Sequence, residues 1–97
     1  MACGSSEKKS VESHATTFEV FIKDMQFNPS ELHIHKGDTV IWYNDGIVVH
    51  DITAQPDDSW GSELIAIGEE WKTVINEDIN YICSIHPTMK GKIILDK

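Results

Sequence analysis

Beyond Thr16 this chain never keeps a helical period long enough to build an amphipathic helix, and that constrains its fold more than any other feature. What it offers are short extended runs. Phe18, Val20 and Ile22 alternate with Glu19, Phe21 and Lys23, a period of two that lays one face of a strand against a core. Leu32 and Ile34 alternate in the same way with His33 and His35, which places both histidines on the solvent face. Residues 39–43 are β-branched and aromatic on both faces, as expected of a central strand in a packed sandwich. Further strands are expected at 50–54, 63–67, 71–75, Ile79–Cys83 and 91–95. Turn chemistry separates them: Asn28-Pro29-Ser30, Lys36-Gly37-Asp38, Asn44-Asp45-Gly46, Gly68-Glu69-Glu70 and Asn76-Glu77-Asp78. A polar loop over 55–62 carries Trp60 as an anchor, while Trp42 and Trp71 read as core. About eight short strands at close intervals predict an all-β, Greek-key β-sandwich.

Ninety-seven residues suffice for one core and no second lobe. Residues 16–97 are expected to form that domain, acting as a monomer, with 1–15 as a flexible N-terminal tail. The start Met1-Ala2-Cys3-Gly4-Ser5-Ser6 resembles the mature end of a bacterial lipoprotein, with Cys3 as the lipid anchor. The apolar signal segment such a reading requires is missing before Cys3, so an incidental thiol in a polar leader stands beside it. The net charge of −8, from 8 basic and 16 acidic residues, argues against a nucleic-acid partner. It is compatible with steering toward a basic protein surface, and also with simple solubility.

Four residues then stand apart. Cys83-Ser84-Ile85-His86-Pro87-Thr88-Met89 spaces a thiol, an imidazole and a thioether by two residues each, and His50 closes an upstream strand. One thiolate, two imidazoles and a thioether make up the donor set of a mononuclear type 1 copper site. Structural zinc sites draw on several Cys and His and rarely use thioether, so Met89 argues against zinc. With Cys83 committed to a metal, only Cys3 is left and no disulfide can form within the chain.

At this point the chain resembles the cupredoxins over nearly everything from Phe18 to Lys97. The resemblance rests on Phe27-Asn28-Pro29 through Leu32, on Gly37-Asp38-Thr39-Val40 and Trp42-Tyr43-Asn44, on Asn44 followed by His50, and on Tyr81-Ile82-Cys83 leading through the ligand loop into Met89-Lys90-Gly91-Lys92. The blocks before His50 are similar to plastocyanin, and the short loop is similar to amicyanin. The resemblance implies that His50, Cys83, His86 and Met89 hold copper. It also implies that Asn44 ties the His50 loop to the ligand loop, with the Ser84 backbone N–H in the same network. Two residues depart from the pattern. Asp51 stands where asparagine usually follows the upstream histidine, and a carboxylate there favours Cu(II) unless it is protonated or paired. Ile85, rather than proline, precedes His86, while Pro87 follows it.

The expected function is a small type 1 copper protein that carries single electrons between redox partners, in a periplasmic or other extracytoplasmic setting. Gly46, Ile47, Val48 and Pro87 are expected to form an apolar docking apron around the His86 ring edge. A copper chaperone or scavenger with the same fold is the alternative. An oxidase or nitrite reductase would need further histidines for a catalytic copper, and a binuclear copper centre would need a second loop cysteine. His33 and His35 could hold a second metal, although a solvent-facing strand needs no such role for them.

Overall fold

A computed structural model describes residues 15–96. Cys3, His14 and most of the expected tail lie outside the described residues, and so does Lys97. Eight strands form among them: β1 (Thr17–Lys23), β2 (Gln26–Asn28), β3 (Glu31–Ile34), β4 (Thr39–Asn44), β5 (Thr53–Gln55), β6 (Glu70–Val74), β7 (Ile79–Cys83) and β8 (His86–Leu95). They make two four-stranded sheets, β2-β1-β4-β6 and β3-β8-β7-β5, and no described residue is helical. The chain crosses repeatedly between the layers, so β1 meets β4 in parallel and β3 meets β8 in parallel, while the remaining pairs are antiparallel.

The period-two pattern puts Val20 and Ile22 of β1, Val40 and Trp42 of β4, and Ile79, Tyr81 and Cys83 of β7 on the inner faces. Trp42 donates its indole N–H to the Tyr81 hydroxyl at 3.2 Å, which satisfies a polar pair inside the core. Trp60 and Trp71 pack against Trp42 at ring-centroid distances of 6.2 and 5.4 Å, so Trp60 does anchor its loop. His33 and His35 are exposed, as their alternation requires. His33 lies between two carboxylates, Glu31 at 2.8 Å and Asp96 at 3.1 Å.

The strand count agrees with expectation, but two of its members differ. Residues 63–67 form no strand; this segment contributes an isolated bridge from Ile65 to His50. Leu64 and Ile67 point outward instead of packing, which is why the apolar run misled. In its place β2 pairs with β1 through a two-residue turn at Asp24-Met25, closed by Lys23 and Gln26. Both turn residues have positive φ, 54° and 60°, the geometry usually supplied by Asn-Gly. The expected strand at 50–54 begins only at Thr53, and β8 begins earlier than expected, at His86.

Candidate metal centre

The end of the sandwich where β7 turns into β8 gathers the sulfur and nitrogen donors. Cys83 ends β7, and its side chain is completely buried. His50 follows the β4 loop and is held through its backbone, N–H to the Ile65 carbonyl at 3.3 Å and carbonyl to the Ile65 N–H at 2.7 Å. Its ring is 1% exposed. His86 opens β8 directly opposite Cys83 and remains partly exposed.

The register explains how a loop with two residues between donors can surround one ion. Cys83 faces His86, but the preceding residue Ile82 faces Lys90, so Pro87, Thr88 and Met89 have no partner on β7. This bulge releases Met89 from strict alternation with His86, and the Met89 side chain turns inward to 2% exposure. Ile85, the departure noted in the sequence, and Pro87 therefore flank His86 in a segment whose path is set by the bulge.

Cys83 Sγ lies 3.6 Å from His50 Nδ1 and 3.5 Å from His86 Nδ1. Metal–nitrogen and metal–sulfur bonds of about 2.0 and 2.3 Å, opened to tetrahedral or trigonal angles, separate their outer ends by about 3.5–3.8 Å. The three donor atoms all fall within 4.8 Å of one another, and no other such group occurs among the described residues. A buried cysteine sulfur with two imidazoles and a buried thioether on β8 fits one copper ion. Burial holds His50 below the usual imidazole pKa, with His86 adding to the effect and Asp51 opposing it. Such a ring stays neutral and able to ligate.

Asp51 is the residue that organises this arrangement. Its backbone N–H points at Cys83 Sγ, 3.4 Å away. Its carboxylate accepts the Ser84 backbone N–H at 2.7 Å, the Thr53 hydroxyl at 3.1 Å and the Ser84 hydroxyl. Asp51 and Ser84 thus join the His50 segment to the ligand loop. The expectation placed that role on Asn44, and the structure corrects it. Asn44 donates through Nδ2 to the carbonyls of Val48 at 2.8 Å and Ile65 at 2.9 Å, and accepts the Gly46 N–H at 3.0 Å. It closes the His50 loop on itself and on the Ile65 segment, and among the described residues it makes no hydrogen bond to the ligand loop. Sequence reasoning missed Thr53 and Ile65. Thr53, two residues past Asp51 on an extended run, carried a usable signal; Ile65 acts through its backbone and carried none.

Of the expected docking residues, Ile47 is 87% exposed, Val48 and Pro87 are exposed, and Gly46 is half-buried. Val49, Leu64, Ile67 and Ile85 add further exposed apolar surface.

Comparison with known proteins agrees with this geometry. The family model of the cupredoxin-like domain matches residues 1–95. An amicyanin of Paracoccus versutus is 28% identical over 83 residues, which cover 79% of this chain and 63% of that protein. Amicyanin-alpha of Methylorubrum extorquens is 26% identical over 91 residues, 88% of this chain and 76% of the relative. The crystal structure of the Paracoccus versutus amicyanin matches with a TM-score of 0.74 at 26% identity, covering 82% of this chain and 81% of that one. A copper-containing nitrite reductase from Thermus scotoductus also matches with a TM-score of 0.74, but over only 22% of its length. The chain spans less than two thirds of the first amicyanin, and it belongs to the cupredoxin-like domain family.

Proposed function

We propose that this protein is a one-electron carrier built on a single type 1 copper ion. His50 and His86 would hold the ion through Nδ1, Cys83 through its sulfur and Met89 through its thioether. The observation that carries this reading is the pair of Sγ–Nδ1 separations, 3.6 and 3.5 Å, which require no rearrangement to meet one ion. Copper supplies the reversible one-electron couple. The chain keeps the donors nearly fixed in both oxidation states and keeps water from the sulfur. The Asp51 N–H aimed at Cys83 Sγ draws electron density from the thiolate and favours the reduced state.

Electrons enter and leave where His86 is partly exposed, inside the apolar apron of Gly46, Ile47, Val48 and Pro87. A small, quickly released interface suits such exchange. The partners are other redox proteins, with basic surfaces favoured by the −8 charge. Residues 16–97 are the copper domain, acting as a monomer, and 1–15 join it to a lipid anchor at Cys3 in the periplasm.

The test is a visible spectrum of the copper-loaded protein followed by voltammetry. An intense sulfur-to-copper band and a reversible wave are expected. The band with an irreversible wave would favour copper delivery or storage, and the lack of any band would remove Cys83 from the ligand set.

A further inference from the structure

Beside the metal centre lies a cleft that shares His50 with it. Lys23, Asp24 and Met25 from the β1–β2 turn face Asp45, Gly46, Ile47 and Val48 from the loop after β4, around a cleft of about 200 Å³ with His50 at its back. The two positive-φ residues Asp24 and Met25 shape the turn on one side of this cleft.

The His50 ring spans the wall between the two sites. Its Nδ1 faces Cys83 Sγ, while its Nε2 lies 3.6 Å from where a Cβ on Gly46 would stand. Imidazole that ligates through Nδ1 carries its proton on Nε2, so a donor is directed at the cleft. Among the described residues Nε2 makes no hydrogen bond, although the side chain is 1% exposed. Buried donors are nearly always satisfied, and metal-bound imidazole usually gives its second N–H to a carboxylate, a carbonyl or water. Asp24 and Asp45 are among the residues that line the cleft, but they do not join a ligand-distance group with His50. The space has room for water, since one molecule needs only about 10–15 Å³ of centre-accessible room and two or more polar partners.

We infer that this cleft is a water-binding site whose innermost water accepts the His50 Nε2–H and passes the hydrogen bond on toward Asp24 and Asp45. This inference rests on His50 being a copper ligand through Nδ1. The water makes the imidazole a stronger donor to copper and so favours Cu(II). Gly46 is a positioning residue, because the missing side chain leaves the water its place.

The test uses nitrogen-labelled Cu(I) protein, with the Trp42 indole N–H, bonded to Tyr81, as an internal standard. The His50 Nε2–H should exchange with solvent about tenfold or more faster than the indole proton. Gly46→Ala should slow that exchange and raise the reduction potential, with the sulfur-to-copper band in place. Protection equal to that of Trp42 would overturn the inference, and so would an Ala variant with unchanged exchange and potential. If Gly46→Ala fails to fold, a high-resolution crystal structure of the wild type decides. Density at hydrogen-bond distance from Nε2 supports the site, and a protein atom there overturns it. A protein that binds no copper fails the functional reading instead, and the same density in the metal-free crystal still decides the cleft.

Discussion

Asp51 shows what a single departure from a family pattern can do. Its carboxylate is saturated by Ser84 and Thr53, so the charge is held in place beside the ligand loop. An asparagine keeps one carbonyl oxygen for the Ser84 N–H, and the Ser84 hydroxyl can rotate to accept from the new amide. Asp51→Asn should therefore fold with a loss of about 1 kcal/mol or less, while Asp51→Ala leaves several donors without an acceptor and should cost about 1–3 kcal/mol. Because a nearby anion favours Cu(II), the asparagine variant should also have a higher reduction potential than wild type. Denaturant melts and voltammetry on both variants check the two expectations together. Melts that separate the variants with no change in potential would mean that the carboxylate is structural and electrostatically screened. For the proposed ligands, Cys83→Ser should abolish the sulfur-to-copper band and leave the sandwich folded. Met89→Leu should keep the band and raise the potential, since a donor to Cu(II) is lost. A band that survives in the serine variant would exclude Cys83, and an unchanged potential in the leucine variant would exclude Met89.

At the level of strands, the β7–β8 pair sets the site and also limits what can change near it. Gly91 lies opposite Tyr81, and any Cβ there would collide with the Tyr81 ring. Gly91→Ala should cost about 1–3 kcal/mol through overpacking and disturb the Trp42–Tyr81 hydrogen bond, visible in thermal melts and in tryptophan fluorescence. At the other end of the sandwich Asp38, 2% exposed, accepts the His35 N–H at 2.9 Å and the Thr16 N–H at 2.8 Å. These bonds, the His35 one foremost, hold its carboxyl below the ordinary value of 3.8. A depressed carboxylate pKa contributes stability above the unfolded value that disappears as pH falls through the folded one. Asp38→Asn should thus weaken the fold at neutral pH and flatten the loss of stability below about pH 4. A variant whose stability falls as steeply in acid as the wild type would remove Asp38 from that limb. Strands with clean alternation, such as β1 and β4, were legible in the sequence because one face must be buried. β2 was not, since its turn uses Asp24-Met25 in place of a glycine-bearing pair. The 63–67 segment was misread because exposed Leu64 and Ile67 imitate a strand's apolar content. Side-chain chemistry and spacing singled out His50, Cys83, His86 and Met89, and the first three do bring their donor atoms within 4.8 Å of one another. The Asp51–Ser84 link and the bulge after His86 were not, because they depend on register between strands that sequence does not specify.

Considered as a whole, the chain is strongly acidic and leaves large apolar side chains exposed, Ile47 foremost. Asp24 and Asp45 line the cleft that Ile47 and Val48 also line, so acidic residues adjoin the proposed apron. Electron exchange with a basic partner should slow as salt rises, because screening shortens the reach of these charges to about 10 Å at 0.1 M. A rate independent of ionic strength would leave the −8 charge a matter of solubility alone. Ile47→Asp then separates contact from steering. Ile47 is 87% exposed, so the substitution should change stability by no more than about 0.5 kcal/mol and leave the copper spectrum intact. Toward a basic partner the added charge speeds encounter, while the lost apolar contact weakens the docked complex, and the two effects oppose each other at low salt. At high salt the first is screened and the second remains. Exchange should then be slower than wild type by up to about tenfold, equivalent to about 1.4 kcal/mol of lost contact. Stopped-flow rates across a salt series read both terms from one variant. A variant that matches wild type at high salt would place docking away from Ile47 and send the electron through another face.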